Sequence, residues 1–108
     1  MHYQLNHPKP SDLDLIHGWL TVAGWPEELI PQALAVIKCE STYNPNAVSP
    51  NRLYYGLFGL DKMWFRYAGE DFDKWADPVI NARVAYKTYL YDIIEKNQAP
   101  WTQWGCKP

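Results

Sequence analysis

The residue of this sequence best suited to do chemistry is Glu40, which follows an apolar run over residues 33–37. The chain then breaks at Asn-Pro-Asn, residues 44–46, and enters a loop rich in tyrosine and glycine. A carboxyl group against apolar and aromatic walls has its charged form disfavoured, so we expect a raised pKa for Glu40. Such an acid keeps its proton near neutral pH and can pass it to a leaving oxygen, the first requirement for cleaving a glycosidic bond. The alternative is a solvated glutamate at a helix end, which the apolar run, the Asn-Pro break and the aromatic loop all disfavour.

Two predicted helices lead up to this glutamate. Ser11 is the predicted N-cap of the first helix, because an acidic residue follows three positions later, and Gly24 ends that helix. Pro31 suits the first turn of the second helix, where the missing N–H group is not needed. The second helix is apolar on nearly all sides, so we expect it to be central and buried, with Glu40 in its last turn.

The remainder of the chain predicts an irregular loop and one more long helix. Residues 47–60 place turn residues between short apolar pieces, which is compatible with a small β-hairpin, and residues 62–67 predict a short helix. Asp77 as N-cap and Pro78 at the first position begin the last long helix, which fades at residues 96–98. The apolar stripe of that helix is predicted to comprise Val79, Ala82, Tyr86, Tyr89, Leu90, Ile93 and Ile94.

Together these signals predict a mainly α fold with a small β-hairpin following the central helix, in a single domain over residues 1–108. The apolar fraction of 47% and the charged fraction of 20% are typical of a soluble globular protein. A net charge of −2 without a cluster of lysine or arginine argues against nucleic-acid binding. No apolar run approaches membrane-spanning length, and no signal peptide is visible at the N-terminus.

Aromatic residues make up 16% of the chain, with six tryptophans and eight tyrosines. Large rings often fill the core of a small domain, and this is one interpretation. The other is a groove with exposed rings, on which the C–H faces of sugars can lie. Composition leaves both interpretations open, because aromatic pockets serve many ligands.

The chain contains two cysteines, Cys39 and Cys106, near its opposite ends. A disulfide between them would close a long loop, and two unpaired thiols are the alternative; the sequence does not decide, since pairing needs close Cα atoms. The histidines His2, His7 and His17 have no ligand-like cluster of cysteine or histidine beside them. We therefore expect no metal ion and no cofactor.

An ordered set of short motifs runs through most of the chain, from about Gly24 to Trp104. The motifs are Glu40-Ser41, Asn44-Pro45-Asn46-Ala47-Val48-Ser49, Tyr55-Gly56-Leu57-Phe58, and Asp77-Pro78 with Asn81 and Tyr89. This set resembles the goose-type lysozyme and soluble lytic transglycosylase superfamily, particularly its compact bacteriophage forms. No single tetrapeptide carries the resemblance; the order and spacing of the motifs do.

The resemblance implies a lysozyme-like fold and cleavage of the β-1,4 bond between N-acetylmuramic acid and N-acetylglucosamine in peptidoglycan. The helix-terminal glutamate of that family is the general acid, which implies this role for Glu40. Asn81 is expected to tie the last helix to the loop. Residues implied to contact the sugar or support the acid are Ser41, Tyr54, Tyr55, Gly56, Phe58, Asp61 and Tyr89. The alternative for Gly56 is that the turn requires a glycine, and the alternative for Tyr89 is that its ring packs in the core.

Two positions depart from the family pattern. Gly59 stands where the family carries a glutamine that usually hydrogen-bonds to sugar. Tyr54 stands where animal lysozymes carry an aspartate. A hydrolase of either stereochemistry needs a second carboxyl group near the acid. Asp61 is the nearest candidate in sequence, and a surface or turn acid is the alternative for it.

These departures leave three functional hypotheses. A lytic transglycosylase, in which Glu40 acts as both acid and base and a 1,6-anhydro sugar forms, is placed ahead of a hydrolytic lysozyme. A peptidoglycan-binding module with weak or no catalysis is the third. The expected partners are peptidoglycan glycan strands, with no nucleic acid and no membrane span, and we expect a monomer. The substrate implies an extracellular or periplasmic site of action, which suits a phage-encoded lysis or virion protein.

Overall fold

Four α-helices carry the fold within residues 10–108, the part of the chain that this computed structural model describes. They are α1 (Pro10–Ala23), α2 (Ile30–Ser41), α3 (Lys62–Ala68) and α4 (Pro78–Leu90). Shorter turns are the 3₁₀ segments Glu27–Leu29 and Phe72–Lys74 and a π-helical turn, Tyr91–Glu95, that continues α4. Helix α4 packs against both α1 and α3. The predicted mainly α fold is confirmed.

Helix α1 ends close to its predicted boundary but begins earlier. It stops one residue before Gly24, which takes a positive φ of 105°. It starts at Pro10, so Ser11 lies inside the helix and does not precede it. The side chain of Ser11 lies outside the described residues, and so do His2 and His7.

Helix α2 is amphipathic, and the prediction that it is buried on nearly all sides is wrong. Ala35 and Lys38 are exposed on one side of the helix, and the charged ammonium group of Lys38 would be costly to bury. The buried face consists of Ile30, Ala33, Val36, Ile37 and Ser41. Glu40 is half-buried in the last turn, at the border of that face. The helix ends because Thr42 adopts the left-handed conformation at φ 51°, ψ 43°.

The predicted β-hairpin is not formed in the loop between α2 and α3. Residues 42–61 instead contain two isolated antiparallel bridges, Val48–Tyr55 and Tyr55–Leu60. Hydrogen-bonded turns over residues 49–52 and 56–59 leave only three residues between them. Three residues is the lower limit for a strand. The middle one, Tyr55, is bridged to Val48 on one side and to Leu60 on the other, so no run of consecutive bridges forms a two-stranded ladder.

The side chain of Asn81 in α4 holds this loop in place. Asn81 is 0% exposed, and its Oδ1 accepts the N–H of Phe58 at 2.9 Å. Its Nδ2 donates to the carbonyls of Tyr55 at 3.1 Å and Trp75 at 3.0 Å. Gly56 has a φ of 79°, and a Cβ there would overlap the Asn81 amide. The prediction that Asn81 ties the last helix to the loop is confirmed.

Helix α4 begins as predicted but its end differs. Asp77 caps it by accepting two backbone N–H groups of the first turn. At the other end the backbone widens into the π-helical turn, which inserts a residue into the helical register. As a result Asp92 is fully buried, while Ile93 and Ile94 are exposed. Their predicted place in the apolar stripe is therefore wrong.

Most of the aromatic side chains belong to the core. The indole of Trp25 stacks on Phe58 and on Trp101 with centroid distances of 5.4 and 5.5 Å, and its Nε1 donates to the carbonyl of Ala82 at 2.9 Å. Tyr89 contacts the same indole. For these rings the core interpretation of the aromatic content is confirmed.

A disulfide between Cys39 and Cys106 ties the C-terminal tail, residues 99–108, to the end of α2. The two Cα atoms are 5.9 Å apart, within the normal range for such a bond. Trp104 in the same tail donates its Nε1 to the carbonyl of Phe58 at 3.0 Å. The tail is thereby brought beside Glu40, which follows Cys39 directly.

Candidate active site

The carboxyl group of Glu40 is half-buried and has one backbone donor. Its Oε2 accepts the N–H of Cys106 at 3.3 Å. Burial raises the pKa of Glu40, while the Cys106 N–H and the positive charge of Lys107 act in the opposite direction. The predicted rise in the pKa of Glu40 is confirmed. Glu40 is thus a carboxyl group that holds its proton more tightly than a fully solvated glutamate does, while keeping access to solvent.

Two adjoining cavities share Glu40, Tyr54 and Gly59 as lining residues, and we call them together the Glu40 groove. One has a volume of about 230 Å³ and is completed by the C-terminal tail from Gln103 to Cys106. The other, of about 200 Å³, is completed by the loop that follows α2. Glu40 therefore lies where the tail side and the loop side of an open groove meet.

A larger cavity, of about 520 Å³, lies between α3 and the turn that follows it. Its walls include Lys62, Arg66 and Asp71, all of them exposed. None of its charged side chains is buried. Size alone favours this cavity as the functional site. A carboxyl group in a cleft whose pKa departs from its ordinary value is a better guide to catalytic chemistry, and Glu40 is such a group.

Gly59 lies directly against the acid. It has a φ of 62°, and a Cβ built on it would be 2.6 Å from Glu40 Oε1. Real Cβ atoms do not come that close to an oxygen, so any larger residue would push the carboxyl group away. The Glu40 side chain thus fills the space in which a side chain at position 59 would begin.

Replacing Gly59 by alanine is expected to cost about 1 to 2 kcal/mol in the free energy of unfolding, mostly from left-handed strain, because the flexible end of Glu40 can move away from the new Cβ. Gly69→Ala is the matched control, because Gly69 has a φ of 74° with no atom within 4 Å of a built Cβ. It should cost about 1 kcal/mol, from strain alone. Urea denaturation measures both, and an NMR titration should show that only Gly59→Ala changes the pKa of Glu40. Equal costs with an unchanged pKa would contradict the described contact.

Tyr54 is the predicted sugar-contact residue that the structure places most openly in the groove. Its side chain is 45% exposed and lines both cavities beside Glu40. Its backbone N–H donates to Ser49 Oγ at 3.1 Å, which fixes the loop that presents the ring. Gly56 lines the loop-side cavity, and the indole of Trp104 lines the tail-side cavity. The groove therefore has aromatic groups on both sides of the acid.

Besides Asp61, which is described below, four predicted site residues have side chains that do not line the Glu40 groove. Ser41 Oγ donates to the carbonyl of Ile37 at 3.1 Å, within its own helix. The hydroxyl of Tyr55 donates to the carbonyl of Arg52 at 2.7 Å. The remaining two, Phe58 and Tyr89, are buried against the indole of Trp25.

The hydroxyl group of Tyr89 stays protonated. Burial is the main cause that raises the pKa of Tyr89, and the neighbouring Tyr86 raises it further.

Asp61, the candidate second acid, caps α3 by accepting the N–H of Met63 at 2.9 Å. It lines a small cavity of about 30 Å³ that also touches Tyr54, but not the two cavities lined by Glu40. Asp61 is thus a neighbour of the groove with a structural role.

The tail residues around Glu40 were missed by sequence reasoning. Gln103, Cys106 and Lys107 are more than sixty positions away along the chain. The only sequence signal that indicated them was the cysteine pair, because a disulfide at Cys39 must bring Cys106 next to Glu40. The alternative of two free thiols left that signal undecided.

Comparisons with protein-family models, with curated proteins and with solved structures found no match to this chain. Among residues 10–108, no three or more His, Cys, Asp or Glu side chains are grouped so that they share a metal ion. In the same range no helix has the length and apolar character that crossing a membrane requires. The functional argument therefore depends on the chemistry of the groove itself.

Proposed function

We propose that this protein cleaves the β-1,4 bond between N-acetylmuramic acid and N-acetylglucosamine in bacterial peptidoglycan, with Glu40 as the general acid. The observation that carries the proposal is the half-buried Glu40, whose pKa is raised by burial, at the junction of an open groove. Glycosidic oxygen is a poor leaving group until it is protonated, so an acid of this kind supplies the first step. Tyr54, which is 45% exposed, offers an aromatic surface beside it, and a small part of the buried Trp104 borders the same cavity.

The absence of a second carboxyl group supports transglycosylation over hydrolysis. Among the described side chains, Glu40 is the only carboxyl group that lines the groove. Glu40 first gives its proton to the glycosidic oxygen as the C1–O bond breaks, while the N-acetyl group of the muramic acid stabilises the developing cation. Glu40 then takes the proton of the 6-hydroxyl as O6 bonds to C1, which forms the 1,6-anhydro sugar and restores the acid.

Two alternatives remain for this groove. In a hydrolytic lysozyme, water attacks C1 and Glu40 takes its proton. In a catalytically weak binding module, the groove holds glycan without cleaving it, and Gly59 in place of the family's glutamine favours that idea. The half-buried Glu40 argues against it, because even partial burial of a carboxyl group is costly and a chemical role would explain it. In all three cases the protein acts in the peptidoglycan layer, at an extracellular or periplasmic site, as a phage lysis or virion protein would.

Mass spectrometry of digested cell walls tests the proposal. Purified peptidoglycan is incubated with the full chain, and the soluble fragments are weighed. We expect 1,6-anhydromuramyl ends. Ends heavier by one water would overturn transglycosylation in favour of hydrolysis, and glycan that is bound but not released would favour the binding module. If the chain neither releases soluble fragments nor binds the glycan, the proposal is overturned.

Removing the charge of Lys107 is expected to move the activity toward higher pH. Its positive charge favours the carboxylate of Glu40, so Lys107→Met should raise the pKa of that acid further. A general acid must be protonated, so the decline of kcat/KM at higher pH should begin at a higher pH than in the wild type. Lys74→Met, which removes one exposed charge elsewhere, is the control and should leave the profile unchanged.

The raised pKa of Glu40 also determines how the free energy of unfolding changes with pH. Folding raises the pKa of Glu40, so the folded state binds its proton more tightly than the unfolded chain does. This contribution to the free energy of unfolding is fully present below the unfolded pKa and is lost as the pH rises through the folded pKa. Lys107→Met raises this pKa further, so Glu40 should contribute to the free energy of unfolding up to a higher pH than in the wild type.

The activity profile decides whether Glu40 is the acid. If the pH profile of kcat/KM for Lys107→Met stays in place or moves to lower pH, the assignment of Glu40 as the general acid is contradicted.

A further inference from the structure

A second buried carboxyl group, Asp92, lies behind the groove wall and is not used by the mechanism above. Asp92 belongs to the π-helical turn after α4 and is 0% exposed. Its Oδ1 accepts a hydrogen bond from Gln103 Nε2 at 2.7 Å. Its Oδ2 is buried without a hydrogen-bond partner among the described residues. A carboxyl group so poorly satisfied is costly to bury, so its single strong contact requires an explanation.

That contact determines how the amide of Gln103 is oriented. The NH₂ end of the amide faces Asp92, with Nε2 donating to Oδ1. The Oε1 atom and the second N–H of Gln103 have no partner among the described residues. Gln103 is exposed and lines the tail-side cavity of the Glu40 groove. The amide therefore offers one acceptor and one donor at the groove wall, with its orientation fixed from behind.

The same cavity provides an apolar surface beside that amide. The indole of Trp104 lines it together with Gln103 and Glu40. Trp104 is 3% exposed and its Nε1 is occupied by the carbonyl of Phe58, so the ring contributes a small and purely apolar surface here. A 2-acetamido group has a complementary pattern, because it carries an N–H donor, a C=O acceptor and a methyl group. A plain hydroxyl at the same sugar carbon has no methyl group for the indole.

We infer that Gln103 is the specificity-determining residue that binds the acetamido group of an N-acetylated sugar in the Glu40 groove, and that Asp92 is its positioning residue. This inference rests on the proposed glycan function, because the groove must hold such a sugar for the contact to form.

Calorimetric titration of the full chain with tri-N-acetylchitotriose tests the inference, with cellotriose as the ligand that lacks acetamido groups. The wild type should bind tri-N-acetylchitotriose more tightly than cellotriose. Gln103→Ala should weaken the binding of tri-N-acetylchitotriose by about 5- to 30-fold, the effect of one or two hydrogen bonds. It should leave the binding of cellotriose unchanged. Equal binding of tri-N-acetylchitotriose by Gln103→Ala and wild type would overturn the inference.

Two Asp92 variants separate positioning from general stability. Asp92→Asn keeps an oxygen that can accept from Gln103 Nε2 and should bind tri-N-acetylchitotriose within about twofold of the wild type. Asp92→Leu removes the acceptor together with the poorly satisfied carboxyl group, so affinity should fall as in Gln103→Ala while Tm holds or rises. In a Gln103→Ala background, Asp92→Leu should cause no further loss of affinity. A loss in Asp92→Asn equal to that in Gln103→Ala, or a further loss in the double variant, would refute the positioning role.

Failure of this inference is distinguishable from failure of the proposed function. If wild type and Gln103→Ala cleave cell walls and bind tri-N-acetylchitotriose equally, the inference fails and the proposed function stands. If the wild type neither releases cell-wall fragments nor binds tri-N-acetylchitotriose, the proposed function fails and the inference fails with it. Should Asp92→Leu not fold, Asp92→Asn and Gln103→Ala still decide the question.

Discussion

Glu40→Gln is expected to lower the release of soluble fragments from purified cell walls by about 100- to 10,000-fold, the usual contribution of a positioned general acid. Glutamine has the same shape but no proton to give to the glycosidic oxygen. Its Oε1 can still accept the N–H of Cys106, so the tail should stay in place. The measurement is the initial rate of fragment release. Chromatography quantifies the released fragments, those with reducing ends and those with 1,6-anhydro ends.

The variant must remain folded for this result to count. Burial disfavours the charged form of Glu40, so a neutral glutamine should keep or raise Tm, and binding of tri-N-acetylchitotriose should persist. Glu28→Gln is the matched control, because Glu28 is exposed in the short turn before α2. It should leave the rate unchanged. Wild-type rates in a folded Glu40→Gln protein would rule out Glu40 as the acid.

Replacing both Cys39 and Cys106 by serine is expected to lower the free energy of unfolding by about 4 kcal/mol. The bond spans a sequence separation of 67 residues, so its loss frees a long loop in the unfolded chain. For a domain of this size that corresponds to a fall in Tm of about 15 to 30 °C. The rate of glycan cleavage should fall as well, at a temperature where the variant is folded, since the bond holds the Cys106 N–H and Gln103 beside Glu40.

Reduction of the wild type provides the control for this prediction. Treatment with dithiothreitol should lower Tm to that of the double-serine variant, and the variant itself should not respond to the reagent. Calorimetry and near-ultraviolet circular dichroism follow both changes. An unchanged Tm after complete reduction, verified by thiol titration, would show that the bond does not restrain the fold.

Local signals in the sequence predicted the helix boundaries well and the loop poorly. The start of α4 depends on Asp77, whose side chain reaches N–H groups only two and three residues ahead, so local sequence suffices to predict it. Asn81 was correctly expected to tie that helix to the loop. The β-hairpin was not formed, because two close turns and the Asn81 contacts shape that segment. Neither effect appears in a pattern of alternating residues.

The burial of whole helices was also beyond local reasoning. An apolar composition predicted that α2 is enclosed, yet Ala35 on its outer side is exposed. The stripe of α4 extended in the prediction to Ile93 and Ile94, but the π-helical turn rotates both into solvent and buries Asp92 instead. A regular period of 3.6 residues does not anticipate an inserted residue.

By itself the sequence determined that a glutamate lies in the last turn of a helix and that a break and an aromatic loop follow it. These properties depend on neighbours within a few positions of Glu40. Only the tertiary structure decided what surrounds the carboxyl group: Gly59 against it, the Cys106 N–H and the Lys107 charge beside it, and Gln103 across the groove. The physical reason is that helix ends are set by short-range hydrogen bonds, whereas the walls of a groove depend on where distant segments return.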